Sequence, residues 1–380
     1  MPGDAMEAQA QDAQAQDGQV EDGQVEDGKL VAIQAMRALA AGWVTFAHLA
    51  WGFADHIETG LGLSRAHPFV GEAAVALFFV VSGYVMVVSS RDLFGAPRGA
   101  MTFWFRRIVR IMPPYWIATA LLVLVFVALL GRDVDPSDLA HSAFLIPYWP
   151  GEDGGLKAIP FLWPGWTLFY EMAFYALFGL CLILPRTRAL WLVSATLLAV
   201  AILGVFVPPD NALIFTLTRT IVVIFVVGIA LAAWREKGRV APAWLRWSAG
   251  LAAIPALVAL IHFAEPLGIG ATYTAYCGIP AALLSFALLS GPLTLPVPRL
   301  INALGNMSYA LYLLHVPIAW SWNWFYRRLP GFDPGPLDYL VTACFVTLAV
   351  SWYFYSCIEQ PMTKALNRWA GTPHGRQPRN

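Results

Sequence analysis

The chain has 380 residues, of which 58 % are hydrophobic types and only 13 % charged, with a mean hydropathy of +0.60. A soluble domain usually carries about a quarter charged residues, so this composition excludes an ordinary water-exposed globule and suits a chain whose solvent is a bilayer. The formal net charge is zero, which excludes bulk electrostatic capture of nucleic acid; the information lies in where the charges sit.

Residues 1–29 differ from all that follows. Asp4, Glu7, Asp12, Asp17, Glu21, Asp22, Glu26 and Asp27 alternate with Gln, Ala and Gly, the pentad Gln-Val-Glu-Asp-Gly runs twice from 19 to 28, and Lys29 is the only base. With so little to bury, this segment is expected to be a disordered acidic tail. Lacking the basic start and apolar middle of a signal peptide, it is expected to stay on the cytoplasmic side.

A membrane domain over 30–365 and a basic tail over 366–380 are expected after it. A spanning helix needs about 20 mostly apolar residues. By that measure ten helices are expected, at 30–53, 69–89, 112–131, 165–184, 189–207, 213–234, 244–263, 272–290, 307–326 and 338–358. The fold class is therefore an all-α polytopic membrane bundle. A short interfacial helix is a further expectation at 139–149. Lys29, Arg91, Arg98, Arg106, Arg107, Arg110, Arg186, Arg188, Arg235, Lys237, Arg239, Arg246, Arg299, Lys364, Arg368, Arg376 and Arg379 then share one side, against Arg65, Arg132, Lys157, Arg327 and Arg328 on the other. This asymmetry puts both termini in the cytoplasm.

The first span holds Arg37 and His48. Eleven residues at about 100° each bring His48 within about 20° of the helical face of Arg37, roughly 16 Å along the axis. A charge in hydrocarbon costs at least about 2.5 kcal/mol, so such groups face a partner or a cavity. In the second span, Glu72 is read as a substrate contact or as a structural partner of Arg37 or Arg219. Ser82 and Gly83 are small enough for close helix approach, and the absence of a Gly-x-Ser-x-Gly elbow argues against a nucleophilic Ser82.

Before span 3 the chain reads Phe-Trp-Phe-Arg-Arg-Ile-Val-Arg-Ile-Met-Pro-Pro-Tyr-Trp over 103–116. Arg107 and Arg110 are three apart and share a helical face. With Arg106 they are read either as topology markers that snorkel to headgroups or as guanidinium forks for a phosphorylated ligand. Glu171 lies one turn into span 4. Arg219 has no motif around it and is read as structural, and His262 as interfacial. In span 9, Ser308, Tyr312 and His315 recur at helical spacing beside Pro317, so His315 is a buried structural histidine or a site residue. Cys181, Cys277, Cys344 and Cys357 lack metal-ligand spacing and are read as small core hydrophobes. No metal site is expected.

Taken in order, Ile-Gln-Ala-Met-Arg followed by ten residues and His48, Phe-Phe-Val-Val-Ser-Gly-Tyr, the Arg-Arg-Ile-Val-Arg segment, Trp-Thr-Leu-Phe-Tyr-Glu, Leu-Gly-Asn-Met-Ser-Tyr-Ala-Leu-Tyr-Leu-Leu-His and Glu359-Gln-Pro resemble the acyltransferase-3 family of membrane O-acyltransferases. The likeness runs over about 30–365 and is nearest the branch that acetylates exopolysaccharides. It implies acetyl-CoA or another acyl-CoA as cytoplasmic donor and a surface carbohydrate hydroxyl as acceptor, in the inner membrane of a bacterium. Residue by residue, it implies catalytic roles for Arg37, His48 and Glu171 and donor binding by Arg107 and Arg110, with Arg106 beside them. Glu72, Ser82, Tyr312 and His315 are candidate substrate contacts. One departure stands out: many members have Gly-Val-Asp before Phe-Phe, where this chain has Val75-Ala76-Leu77. The partners expected are membrane lipid, acyl-CoA and the acceptor, with oligomerisation left open. The rival reading is a transporter or flippase for a sugar or lipid-linked sugar, which buried ionisable groups would also serve.

Overall fold

Helix is the only regular structure among the described residues of the computed structural model, which are 31–50, 67–149, 158–208, 210–263, 270–293, 295–326, 328 and 336–370. The acidic tail expected at 1–29 lies outside them, as does the side chain of His262. The first helix, α1, covers 31–50. Next come α2 (His67–Ser89), α3 (Gly99–Leu124), the short α4 (Pro136–Ala143), α5 (Trp166–Cys181), α6 (Arg186–Leu203) and α7 (Ala212–Leu217). The second half holds α8 (Val223–Glu236), α9 (Ala243–Phe263), α10 (Ala271–Leu289), α11 (Pro298–Asn306), α12 (Ser308–Tyr326), α13 (Pro336–Phe354) and α14 (Gln360–Trp369).

Among the described residues, six stretches are long and apolar enough to cross a membrane: Gly71–Ser89, Gly99–Leu129, Arg186–Phe206, Ala212–Glu236, Ala271–Leu289 and Leu337–Trp369. The expectation of ten spans is thus met only in part, and the shortfall has physical causes. α5 has only 16 residues. α1 and α12 carry Gln34, Arg37, His48, Ser308 and His315, whose polar groups turn inward. The sequence also read 213–234 as one helix. Instead the backbone breaks at Thr218, and Arg219 caps a 3-10 turn over Thr220–Val222 before α8 begins. The interfacial helix expected at 139–149 is α4, which starts earlier because Asp135 caps it, accepting from the Ser137 amide at 2.7 Å, with Pro136 in the first turn.

The bundle is tightest where α2 crosses α8, and it is built out of α9 on α10, α10 on α2, α12 on α13 and α3 on α5. Gly83 and Gly228 face each other at the α2–α8 crossing. A Cβ at Gly83 would run into the Phe225 carbonyl oxygen, and one at Gly228 would lie 2.7 Å from the Tyr84 amide and 3.0 Å from Gly83 Cα. The absence of side chains lets the two backbones touch. Ser82, expected to serve the same packing, instead turns to α5, where its hydroxyl donates to Glu171. Apolar side chains such as Ile183, Trp191, Ile202, Trp244, Phe345 and Trp352 point outward, as befits helices solvated by lipid. The cysteines are all free. Cys181 and Cys277 are core residues as expected, whereas Cys357 is exposed, because the helix widens into a π turn over Tyr355–Glu359 that rotates it outward.

Candidate active site

Five elements bring their polar residues to one cavity of about 340 Å³. Its wall takes Gln34 and Arg37 from α1, Ser82 and Ser89 from α2, Arg107 and Arg110 from α3, Thr167, Glu171 and Tyr175 from α5, and Ser308, Tyr309 and Tyr312 from α12. The size lies in the range of small-molecule sites.

Arg37 sits on the inner face of α1. Its neighbour Gln34, 8 % exposed, donates to the Asn306 side chain at 2.7 Å and ties α1 to the α11–α12 junction. Gly305 is required there: a Cβ on it would lie 2.5 Å from Gln34 Oε1 and 2.6 Å from the Gln34 backbone oxygen. Arg37 interacts electrostatically with Arg110, Glu359 and Glu171. Glu72, expected as a substrate contact or as a partner of Arg37 or Arg219, does not line the cavity; it interacts with Tyr273 on α10. Glu359 is 6 % exposed, and its Oε2 has no hydrogen-bond partner among the described residues. The π turn that ends at this residue aims it at Arg37 and Arg110. Such one-turn bulges are frequent at functional sites.

Arg107 and Arg110 both reach the cavity, as their three-residue spacing allows, whereas Arg106, expected beside them at the donor, does not line it: it is about 100° around α3 from Arg107, and the packing of α3 selects the Arg107 side. Arg107 donates to Ser89 Oγ at 3.0 Å and lies over the rings of Phe103 and Tyr175, at 5.5 and 5.7 Å. Its Nε is buried and has no hydrogen-bond partner among the described residues. Across the cavity, Glu171 Oε1 accepts from Ser82 Oγ at 2.9 Å and from the Tyr175 hydroxyl. Ser82 is thus a cavity residue bonded to a carboxylate. Three guanidinium groups meet Glu171 and the nearby Glu359 here, leaving a surplus of positive charge in a low-dielectric pocket suited to an anion.

Tyr312 and Thr167 form the wall nearest the histidines. The Tyr312 hydroxyl donates to the Pro164 carbonyl at 2.6 Å and lies 2.8 Å from Thr167 Oγ1. Its ring is 6.1 Å from that of His315, which is fully buried and in turn 2.9 Å (Nε2 to Nδ1) from His48. His48 and His315 are not among the lining residues. The reach from the arginines to His48 expected from the sequence is thus a cavity followed by a tyrosine and an imidazole pair. Sequence reasoning passed over Gln34, Tyr175, Tyr309 and Thr167, which carry no signal beyond polarity inside an apolar helix. Trp163, whose ring stands 4.2 Å from His48, was passed over as well. Arg219 is structural, as read: it donates to the carbonyls of Phe215, at 2.8 Å, and Gly204, and lies over the Phe215 ring.

Compared with known proteins, the chain matches the acyltransferase domain family over residues 30–356. It is 35 % identical to the exopolysaccharide production protein ExoZ of Rhizobium meliloti, over 66 % of this chain and 77 % of that protein. It is 28 % identical to the acyltransferase MdmB of Streptomyces mycarofaciens, over 90 % and 93 % respectively. No solved structure gives a significant match.

Proposed function

The chain belongs to the acyltransferase-3 family of membrane enzymes and is an acyltransferase for groups other than aminoacyl, and from that premise we propose that it moves an acetyl group from cytoplasmic acetyl-CoA to a carbohydrate hydroxyl, in exopolysaccharide or another surface glycan. The observation that carries this reading is the convergence of Arg37, Arg107 and Arg110 with Glu171 on one cavity. Guanidinium forks suit the phosphates of CoA, and the name of the Rhizobium relative supports an exopolysaccharide acceptor. The basic residues that flank these helices support a cavity opening to the cytoplasm of a bacterial inner membrane, with both termini inside.

In this reading Arg107 and Arg110 hold donor phosphates, and Arg37, set deeper, faces the thioester and the negative charge that develops on its oxygen. Glu171 orients Ser82 and the acceptor hydroxyls. His48 takes the proton of the acceptor hydroxyl as that oxygen bonds to the thioester carbon; the carbon–sulfur bond breaks, and the sulfur leaves with the proton as CoA thiol. The acyl end meets the acceptor beside Tyr312, between the cavity and the histidines.

Release of free thiol from acetyl-CoA by purified protein, dependent on added glycan, tests the proposal. The expected result is acceptor-dependent thiol release that is lost in His48→Ala. Sugar movement across proteoliposomes without thiol release would instead identify a carrier and overturn it.

A further inference from the structure

Residues 267 positions apart place two imidazoles in contact: His48 Nδ1 lies 2.9 Å from His315 Nε2, with the rings 5.0 Å between centroids and 6° from parallel. Two ring nitrogens that close share one hydrogen. The other nitrogen of His315, Nδ1, faces the Leu311 carbonyl oxygen at 3.3 Å. A carbonyl only accepts, so in neutral His315 the proton sits on Nδ1 and Nε2 holds a lone pair. The hydrogen between the rings therefore belongs to His48 Nδ1. That leaves Nε2 as the unprotonated nitrogen of His48.

An isolated imidazole side chain favours the opposite arrangement, with the proton on Nε2, so the partner decides which nitrogen is basic. The surroundings keep the pair in register. Trp163 stands edge-on to both rings, at 4.2 Å and 80° to His48 and 6.0 Å and 85° to His315. Gly71 flanks His48 Nε2, where even a Cβ would come within 3.7 Å. His315 itself is held on α12 between Tyr312 and Trp163, and it is fully buried.

We propose that His315 is a positioning residue that fixes His48 in the tautomer protonated on Nδ1, so that Nε2 is the nitrogen that receives the acceptor's proton. The inference rests on the acyl-transfer reading above. When His48 becomes cationic in the reaction, the hydrogen bond to His315 turns charge-assisted and strengthens. His315 stays neutral and keeps its own proton on Nδ1. The proton gained at His48 Nε2 leaves with the CoA sulfur.

Nitrogen-15 NMR of ring-labelled protein in detergent reads the tautomer directly, with His48 assigned by its disappearance in His48→Gln. The expected spectrum shows a pyrrole-type Nδ1 and a pyridine-type Nε2 for His48. In His315→Leu the His48 signals revert to the form protonated on Nε2, and kcat falls by about a hundredfold, the lower end of what a well-placed general base contributes, while KM for acetyl-CoA changes little. In His315→Gln, the amide oxygen stands where Nε2 was and accepts the same hydrogen, so the tautomer and most of kcat return. A pyridine-type Nδ1 in the unaltered protein overturns the proposal. So does a His315→Gln protein as impaired as His315→Leu with unchanged melting behaviour, because that pattern belongs to packing alone. Should His315→Leu fail to fold, the unaltered spectrum and the glutamine variant still decide. Absence of thiol release by the unaltered protein would refute the acyl-transfer reading and leave the tautomer measurement standing by itself.

Discussion

Alanine at Gly83 is the sharpest test of how the bundle is held together. The new methyl would collide with the Phe225 carbonyl oxygen and lie 3.1 Å from its carbon and 3.2 Å from the Ile229 amide nitrogen. Every one of these obstacles is main chain, so no rotamer change relieves them and α2 must move off α8. Overpacking usually costs about 1–3 kcal/mol when side chains can yield; with rigid helices on both sides the upper end, about 3 kcal/mol, is expected. At roughly 2 °C per kcal/mol for a large domain, the melting temperature in detergent should fall by about 6 °C. Gly228→Ala should act alike, and the double variant should lose less than the sum, because one separation of the helices accommodates both methyl groups. Gly42 on α1 has nothing within 4 Å of its Cβ position, so Gly42→Ala should be neutral or gain up to about 1 kcal/mol. Ser82 is the next residue to Gly83 on α2 and hydrogen-bonds Glu171, so the displaced helix should also lower turnover. Equal melting temperatures for Gly83→Ala and the unaltered protein would refute the backbone-contact account.

Arg110→Ala should raise KM for acetyl-CoA by about tenfold to a hundredfold, the equivalent of one charge-assisted hydrogen bond of about 1.5–3 kcal/mol, with Arg110→Lys intermediate; thiol release at varied donor concentration reads this. Glu171→Ala leaves the hydroxyls of Ser82 and Tyr175 without their acceptor and should cost about 1–3 kcal/mol of stability for each one stranded. Glu171→Gln keeps an oxygen for them, so thermal unfolding should separate the two variants while both lose turnover. Arg219→Ala should lower the melting temperature by breaking the ties to Phe215 and Gly204 and leave kcat and KM unchanged; a change in KM would show that it reaches the substrate.

Local spacing made part of this arrangement legible. The three-residue step from Arg107 to Arg110 was enough to put both on one wall, but spacing alone also left Arg106, four residues before Arg110, as a candidate, and only the packing of α3 showed that it does not line the cavity. The inward placement of Arg37 and Glu171, both half-buried on the cavity wall, was readable because charged groups do not face lipid. Choice of partner was not readable. Arg37 meets Glu359 because a π turn more than 300 residues downstream rotates that side chain inward, and nothing local in Tyr355–Glu359 announces an extra residue in the turn. The His48–His315 contact depends likewise on the packing of α1 against α12. The helix count suffered from the reverse problem: hydropathy treats α5 and α12 as continuous apolar runs, whereas their length and inward polar groups are set by neighbours.

The surplus of positive charge in the cavity also bears on what happens after the reaction. With acetyl-CoA as the proposed donor, spent CoA would keep every phosphate and lose only the acyl group, so guanidinium groups that hold one would hold the other nearly as well. Turnover would then follow the cell's ratio of acylated to free coenzyme, with the spent carrier as a competitive brake. Surface decoration would slow when central metabolism runs short of activated acetate, without any separate regulator.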